Sequence, residues 1–272
     1  MKYLQYAVTG FFASSLFVVS VQAKTICTVV ADAKTGSVLL QQGSCNERYT
    51  PASTFKIALS VMGFDAGFLK DEHTPTLPFH EGYVDWGGDN WRQPTDAVRW
   101  LKYSVVWFSQ QITHSLGEPR LHKYASDFDY GNADFSGDPG KNNGLERAWI
   151  SSSLKISPLE QVAFLKKLLN RELSVTPNAM SMTLKVVEKT TLSGGWEVQG
   201  KTGMAYPRKE NGEFDESRPY GWFVGWTTKG MRPLVFAHLI QDDKKESGTA
   251  GVRSRDVFLK ELPALADSLA TK

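Results

Sequence analysis

Three runs near the end of the chain decide its fold: Trp196-Glu197-Val198-Gln199-Gly200, Tyr220-Gly221-Trp222-Phe223-Val224-Gly225-Trp226-Thr227 and Leu234-Val235-Phe236-Ala237-His238-Leu239-Ile240. Each is short, rich in aromatic and β-branched residues, and bounded by turn-forming residues, so each predicts a strand. A matching signal stands at the other end. Thr28-Val29-Val30 and Val38-Leu39-Leu40 flank Asp32-Ala33-Lys34-Thr35-Gly36, which has the composition of a hairpin turn.

Helical patterns fill the space between. An apolar run from Ser53 to about Leu69 follows the strand-breaking Pro51. Residues 71–93 hold Pro75, Pro78, Gly82, Gly87 and Gly88 and read as loop. Thr95 to Leu116 is predicted helical in two pieces, stopped by Gly117, with a short helix from Arg120 to Ser126. Residues 129–144 are dense in Gly, Asn and Asp and read as loop. Ser157-Pro158-Leu159-Glu160 is a capping box with proline at the first helical position, opening a helix to about Asn170. Further helices are expected from Asn178 to Lys189 and, despite Pro263, from Ser254 to Leu269. No strand–helix–strand alternation appears, so a parallel sheet is not expected. The order predicts an α+β fold. The N-terminal hairpin and the C-terminal strands form one antiparallel sheet (about 24–52 and 194–272). A helical region (about 53–193) is inserted beside it, with the active site at the seam.

Of 272 residues, 41% are hydrophobic, enough for a packed core, and the net charge of +2 supplies no nucleic-acid surface or polybasic membrane anchor. The sequence assigns no oligomeric state. Residues 1–23 carry Lys2, an apolar stretch through Phe11, Phe12, Leu16, Phe17, Val18 and Val19, and Val21-Gln22-Ala23 at the end. This is the pattern of a secretory signal peptide, which leaves residues 24–272 as a single catalytic domain in the periplasm. No later run reaches the ~20 apolar residues of a membrane span, so no anchor is expected after cleavage. In an oxidising compartment Cys27 and Cys45, brought close by the hairpin, are expected to form a disulfide; the alternative is two buried thiols.

The histidines His73, His80, His114, His122 and His238 show no metal-ligand spacing, and no metal is expected. There is no P-loop, no G-x-G-x-x-G and no G-x-S-x-G. Ser-x-x-Lys occurs twice, as Ser53-Thr54-Phe55-Lys56 and as Ser152-Ser153-Leu154-Lys155. That spacing puts a hydroxyl and an amine on one helix face, where the amine can serve as base once its pKa is lowered. Ser53 is favoured because it opens an apolar helix; Ser152 lies in a polar run and reads as surface loop. Lys201-Thr202-Gly203 follows a strand and can hold a substrate carboxylate, with the glycine admitting a substrate backbone. Lys34-Thr35-Gly36 reads as a turn.

With these motifs in order (P-A-S-T-F-K at 51–56, S-V-V at 104–106, F-D-Y-G-N at 128–132, Trp149 ahead of L-K-I-S-P at 154–158, K-T-G at 201–203 and G-W-F-V-G-W at 221–226) the sequence resembles the class D serine β-lactamases, the oxacillinases, across the whole mature chain. The resemblance implies a β-lactamase/transpeptidase-like fold and hydrolysis of penicillin-type substrates, hence antibiotic resistance. It implies Ser53 as acylated nucleophile, Lys56 as general base in N-carboxylated form, and Ser104 as proton relay. Lys201, Thr202 and Gly203 would border the substrate, and the backbone N–H groups of Ser53 and Ala205 would form the oxyanion hole. Arg253, with Arg255 as neighbour, would bind the substrate carboxylate. Trp149 would donate to the carbamate, and Phe55, Val106 and Ile150 would wall it. No cofactor is implied beyond CO2 or bicarbonate. Tyr130 reads equally as a loop-shaping residue, and Trp222 and Trp226 as packing. A penicillin-binding peptidase and a β-lactam sensor that stays acylated are the competing readings. S-V-V with Y-G-N speaks against the first, and a cleavable signal against the second.

Overall fold

The computed structural model describes residues 23–269; the expected leader lies outside the described residues except for Ala23. Six strands form one antiparallel sheet: β1 (Lys24–Asp32), β2 (Val38–Gly43), β3 (Lys189–Thr191), β4 (Glu197–Ala205), β5 (Tyr220–Lys229) and β6 (Arg232–Gln241). Their spatial order is β2-β1-β6-β5-β4-β3. Strand β1 pairs with β2 on one side and with β6 on the other, Val29 opposite Ala237 and Val30 opposite Phe236. The two ends of the chain therefore share one sheet, as the hairpin and the C-terminal runs predict.

Both faces of the sheet are covered, which is why β5 reads as an almost unbroken apolar run. The C-terminal helix α7 (Ala250–Leu269) lies on one face, its Phe258, Leu262 and Ala266 packed against Phe223 and Phe236. The other face meets the helical region: α1 (Phe55–Asp65), α2 (Ala97–Tyr103), α3 (Val106–Asp127), α4 (Gly144–Arg147), α5 (Pro158–Leu169) and α6 (Pro177–Val186). Helix α3 breaks at Gly117 (φ 72°, ψ 159°), where the sequence expects a stop. The α5 capping box is formed, with Ser157 Oγ accepting from the Glu160 N–H and a Glu160 carboxylate oxygen from the Ser157 N–H.

Several boundaries differ from the sequence reading, among them the end of α1 at Asp65 rather than about Leu69. The helix expected to Lys189 ends at Val186, and Lys189–Thr191 becomes an edge strand paired with Glu197–Gln199. Strand β4 does not stop at Gly200 but continues to Ala205, because Lys201–Ala205 pair with Tyr220–Val224. Ser104 is not inside a helix: it is the left-handed residue (φ 58°) joining α2 to α3. Helix α7 starts four residues early, at Ala250. Cys27 and Cys45 are joined as a disulfide across the base of the hairpin.

Candidate active site

Ser53 lies in the short 3-10 turn Ala52–Thr54 that leads into α1. The turn is held tightly. Thr54 Oγ1 donates to Pro51 O at 2.7 Å and accepts from Gln161 Nε2 at 2.9 Å. Ala52 takes the left-handed conformation (φ 51°), a strained choice for a residue with a Cβ and typical of functional turns. One turn on, Lys56 Nζ is hydrogen-bonded to Ser53 Oγ at 3.0 Å. Lys56 is fully buried. Burial first, and the neighbouring Lys201 charge second, hold its amine well below the ordinary lysine value. A neutral amine beside a serine hydroxyl is a base in contact with a nucleophile.

Phe55 points into the core and is ringed by Tyr130, Phe135 and Trp149 at centroid distances of 5.7, 5.8 and 5.7 Å. Val106 belongs to the same apolar cluster, and the partly buried Ile150 packs against it. The Trp149 indole Nε1 and the Ser104 Oγ are buried atoms without a partner among the described residues. Tyr130 is buried, its ring packed on Phe55 at 5.7 Å and on Phe164 at 5.2 Å, and its hydroxyl too has no hydrogen-bond partner among the described residues. Its neighbours shape a loop. Gly131 has positive φ, and a Cβ there would stand 2.0 Å from Lys155 O. Asn132 Oδ1 accepts from the Lys155 N–H at 2.8 Å. Trp222 donates to Thr50 O and Trp226 to Gln199 Oε1, so both indoles are spent on packing.

On β4, Lys201 is buried and donates to Thr202 O at 3.2 Å. Burial and then the Arg255 charge lower its pKa to about 8, against a smaller opposing pull from Glu188. Ala205 ends the strand and is also buried. Gly203 also serves the packing of the chain on itself. A Cβ there would meet the chain itself, 2.8 Å from Pro51 O and 3.2 Å from Ser53 N, so the glycine lets β4 lie against the turn that carries Ser53.

Arg253, the arginine expected to bind a substrate carboxylate, lies away from Lys201 and Thr202. It pairs with Asp242, which is buried, and lines a different depression together with Thr28 and His238. Arg255 instead lines a depression beside Lys201 and Thr202, its guanidinium also paired with Asp256 at 2.8 Å. Two residues apart on a helix differ by about 200°, so the two arginines leave α7 on opposite flanks of the buried Ser254. Ser152 lies away from Lys56, bound to Asp138 Oδ1 at 2.7 Å. Sequence reasoning gave no role to Ser151 or Arg208, although the serine run at 151–153 was a visible signal.

The Ser53 turn with its buried lysine against a K-T-G strand, on an antiparallel sheet covered by a C-terminal helix, marks the transpeptidase fold. The family model for the penicillin binding protein transpeptidase domain matches residues 26–262. The chain is 42% identical over 239 residues to β-lactamase OXA-9 of Klebsiella pneumoniae, covering 88% of this chain and 87% of that one. It is 35% identical to β-lactamase OXA-1 of Escherichia coli, covering 84% and 80%. The crystal structure of the class D β-lactamase OXA-427 superposes with a TM-score of 0.83 at 42% identity, over 89% of this chain and 99% of that one. The chain belongs to the class D β-lactamases. Among the described residues no helix is long and apolar enough to cross a membrane.

Proposed function

We propose that this class D enzyme hydrolyses the amide bond of penicillin-type β-lactams through an acyl-enzyme on Ser53, acts in the periplasm and confers antibiotic resistance. The observation that carries the reading is the contact between a fully buried Lys56 amine and Ser53 Oγ at 3.0 Å. Arg255 and Thr202 hold the substrate carboxylate, with Lys201 beside them, and the N–H groups of Ser53 and Ala205 receive the carbonyl oxygen. Ser53 Oγ gives up its proton on the Lys56 side and bonds to the lactam carbonyl carbon. The C–N bond then breaks, and the ring nitrogen gains a proton by way of Ser104. Water next attacks the ester, releasing the opened product and restoring the Ser53 hydroxyl. The surroundings of Lys56 fit an N-carboxyl group: the amine is neutral enough to take up CO2, and the buried Trp149 N–H lacks an acceptor. Such a group supplies a carboxylate base for both half-reactions. The leader pattern at 1–23 and the Cys27–Cys45 disulfide support export.

Intact-mass measurement after penicillin addition tests this. An enzyme returns to its free mass within seconds to minutes, and Ser53→Ala never gains the ligand mass, whereas Ser152→Ala behaves as the parent. A parent protein that stays heavier by one ligand is instead a sensor or a slow peptidase.

A further inference from the structure

The run Ser151-Ser152-Ser153 has no part in that chemistry, yet every hydroxyl in it is engaged. Ser153 Oγ donates to Asp134 O and accepts from the Gly137 N–H, both at 2.9 Å, closing its own loop. Ser152 Oγ donates to Asp138 Oδ1. Ser151 reaches across to the sheet: its Oγ accepts from the Tyr206 backbone N–H at 2.9 Å. Ser151 is 6% exposed and sits in the left-handed region (φ 52°), a conformation that costs energy and places the hydroxyl on β4's end. Arg208 completes the link. Its Nε and Nη2 donate to Ser151 O at 3.3 and 3.1 Å, Nη1 donates to Gly212 O at 2.8 Å, and Nη2 also meets Asp138. Asp138 is itself bound by Asn143 Nδ2 at 3.1 Å and faces Arg147 at 3.4 Å.

Ser151 stands two residues after Trp149, and Tyr206 one residue after Ala205. We propose that Ser151 and Arg208 are positioning residues that clasp the Trp149 segment to the Ala205 strand end, so that the base side and the oxyanion side of the site keep one fixed spacing. The inference rests on the acyl-enzyme reading above for its kinetic consequence. Its structural part, the coupling of two segments, stands on the hydrogen bonds alone. Catalysis by preorganised donors and base is sensitive to shifts of about 1 Å, and both the Ser151 hydroxyl and its carbonyl carry the link between the two segments.

The variants are Ser151→Gly, Arg208→Ala, Arg208→Lys and, as a control, Ser153→Ala. Glycine accepts φ 52° without strain, so Ser151→Gly removes the hydroxyl and leaves the backbone relaxed. Expected for Ser151→Gly and Arg208→Ala is a kcat lower by about tenfold with KM changed by less than about twofold, and a higher bicarbonate concentration for half-maximal activity. Arg208→Lys recovers part of the loss, and Ser153→Ala keeps the parent kcat. Amide hydrogen exchange gives a readout independent of turnover: Ser151→Gly should lose protection around Trp149 and around Tyr206 together. Parent-like kcat and bicarbonate requirement in both clasp variants, or protection lost at Tyr206 alone, would overturn the proposal. Should Ser151→Gly not fold, the exchange comparison is read from Arg208→Ala. Turnover by the parent protein reports on the acyl-enzyme reading separately.

Discussion

Gly203 lies so close to Ser53 that a Cβ added to the glycine would stand 3.2 Å from the Ser53 nitrogen. On the other side Gly251 of α7 presses on Gly203: a Cβ at 251 would be 2.6 Å from Gly203 O. The strand is therefore sandwiched between backbone on both sides, and backbone cannot rotate away as a side chain can. Gly203→Ala should cost about 1–3 kcal/mol, the usual range for overpacking, and should slow acylation by displacing Ser53. Denaturant melts and intact-mass acylation rates check both. An alanine variant with parent stability and parent acylation would show that the turn has room to move.

Two lysines with lowered pKa values set the pH behaviour. A lysine whose folded pKa lies below its unfolded value binds fewer protons when folded, so stability rises with pH between the two values. For Lys201 that window runs from about 8 to the model-compound value of 10.5. Melting temperature should climb across it, and the climb should shrink in Lys201→Met. Lys56 contributes with the same sign, because its amine is held well below the ordinary value by burial and then by the Lys201 charge.

The same shift should make activity depend on CO2. Acid converts the Lys56 amine to an ammonium that cannot take up CO2. Penicillin turnover at pH about 6 should therefore fall and recover with added bicarbonate, and a labelled carbamate should appear by 13C NMR. Trp149→Ala should let the acyl-enzyme accumulate. Full activity in CO2-stripped buffer with no carbamate signal would leave Lys56 acting as a plain amine.

Arg255 and Arg253 should separate cleanly. Arg255→Ala should raise KM for penicillins by about tenfold, the loss of one charged hydrogen-bond partner, with little change in stability. Arg253→Ala should leave KM near the parent and cost about 1–3 kcal/mol, because it strands the buried Asp242 carboxylate. Steady-state kinetics and urea melts on the pair would reveal the reverse assignment if KM moved with Arg253 instead.

The Cys27–Cys45 bond closes a loop of 18 residues' separation. Reduction should lower stability by about 3 kcal/mol. Non-reducing peptide mapping of exported protein should yield the linked pair, and two freely alkylated thiols would contradict it.

The sequence by itself determined the strand runs, the α5 capping box, the hairpin that unites the cysteines and the pairing of Ser53 with Lys56, because each is set by residues a few positions apart. Periodicity, turn chemistry and i to i+3 spacing are local physics. Tertiary structure decided the rest. Lys189-Thr190-Thr191 is exposed and has no apolar alternation, so only the neighbouring β4 backbone makes it a strand. Strand β4 runs through the Lys-Thr-Gly because β5 supplies partners out to Tyr220. Which arginine faces the cleft depends on the rotational phase of α7, which is fixed by Phe258, Leu262 and Ala266 meeting the sheet. The Ser151 hydroxyl finds Tyr206 across 55 residues of chain. Contacts of that reach are settled by packing, and no window of neighbouring residues carries them.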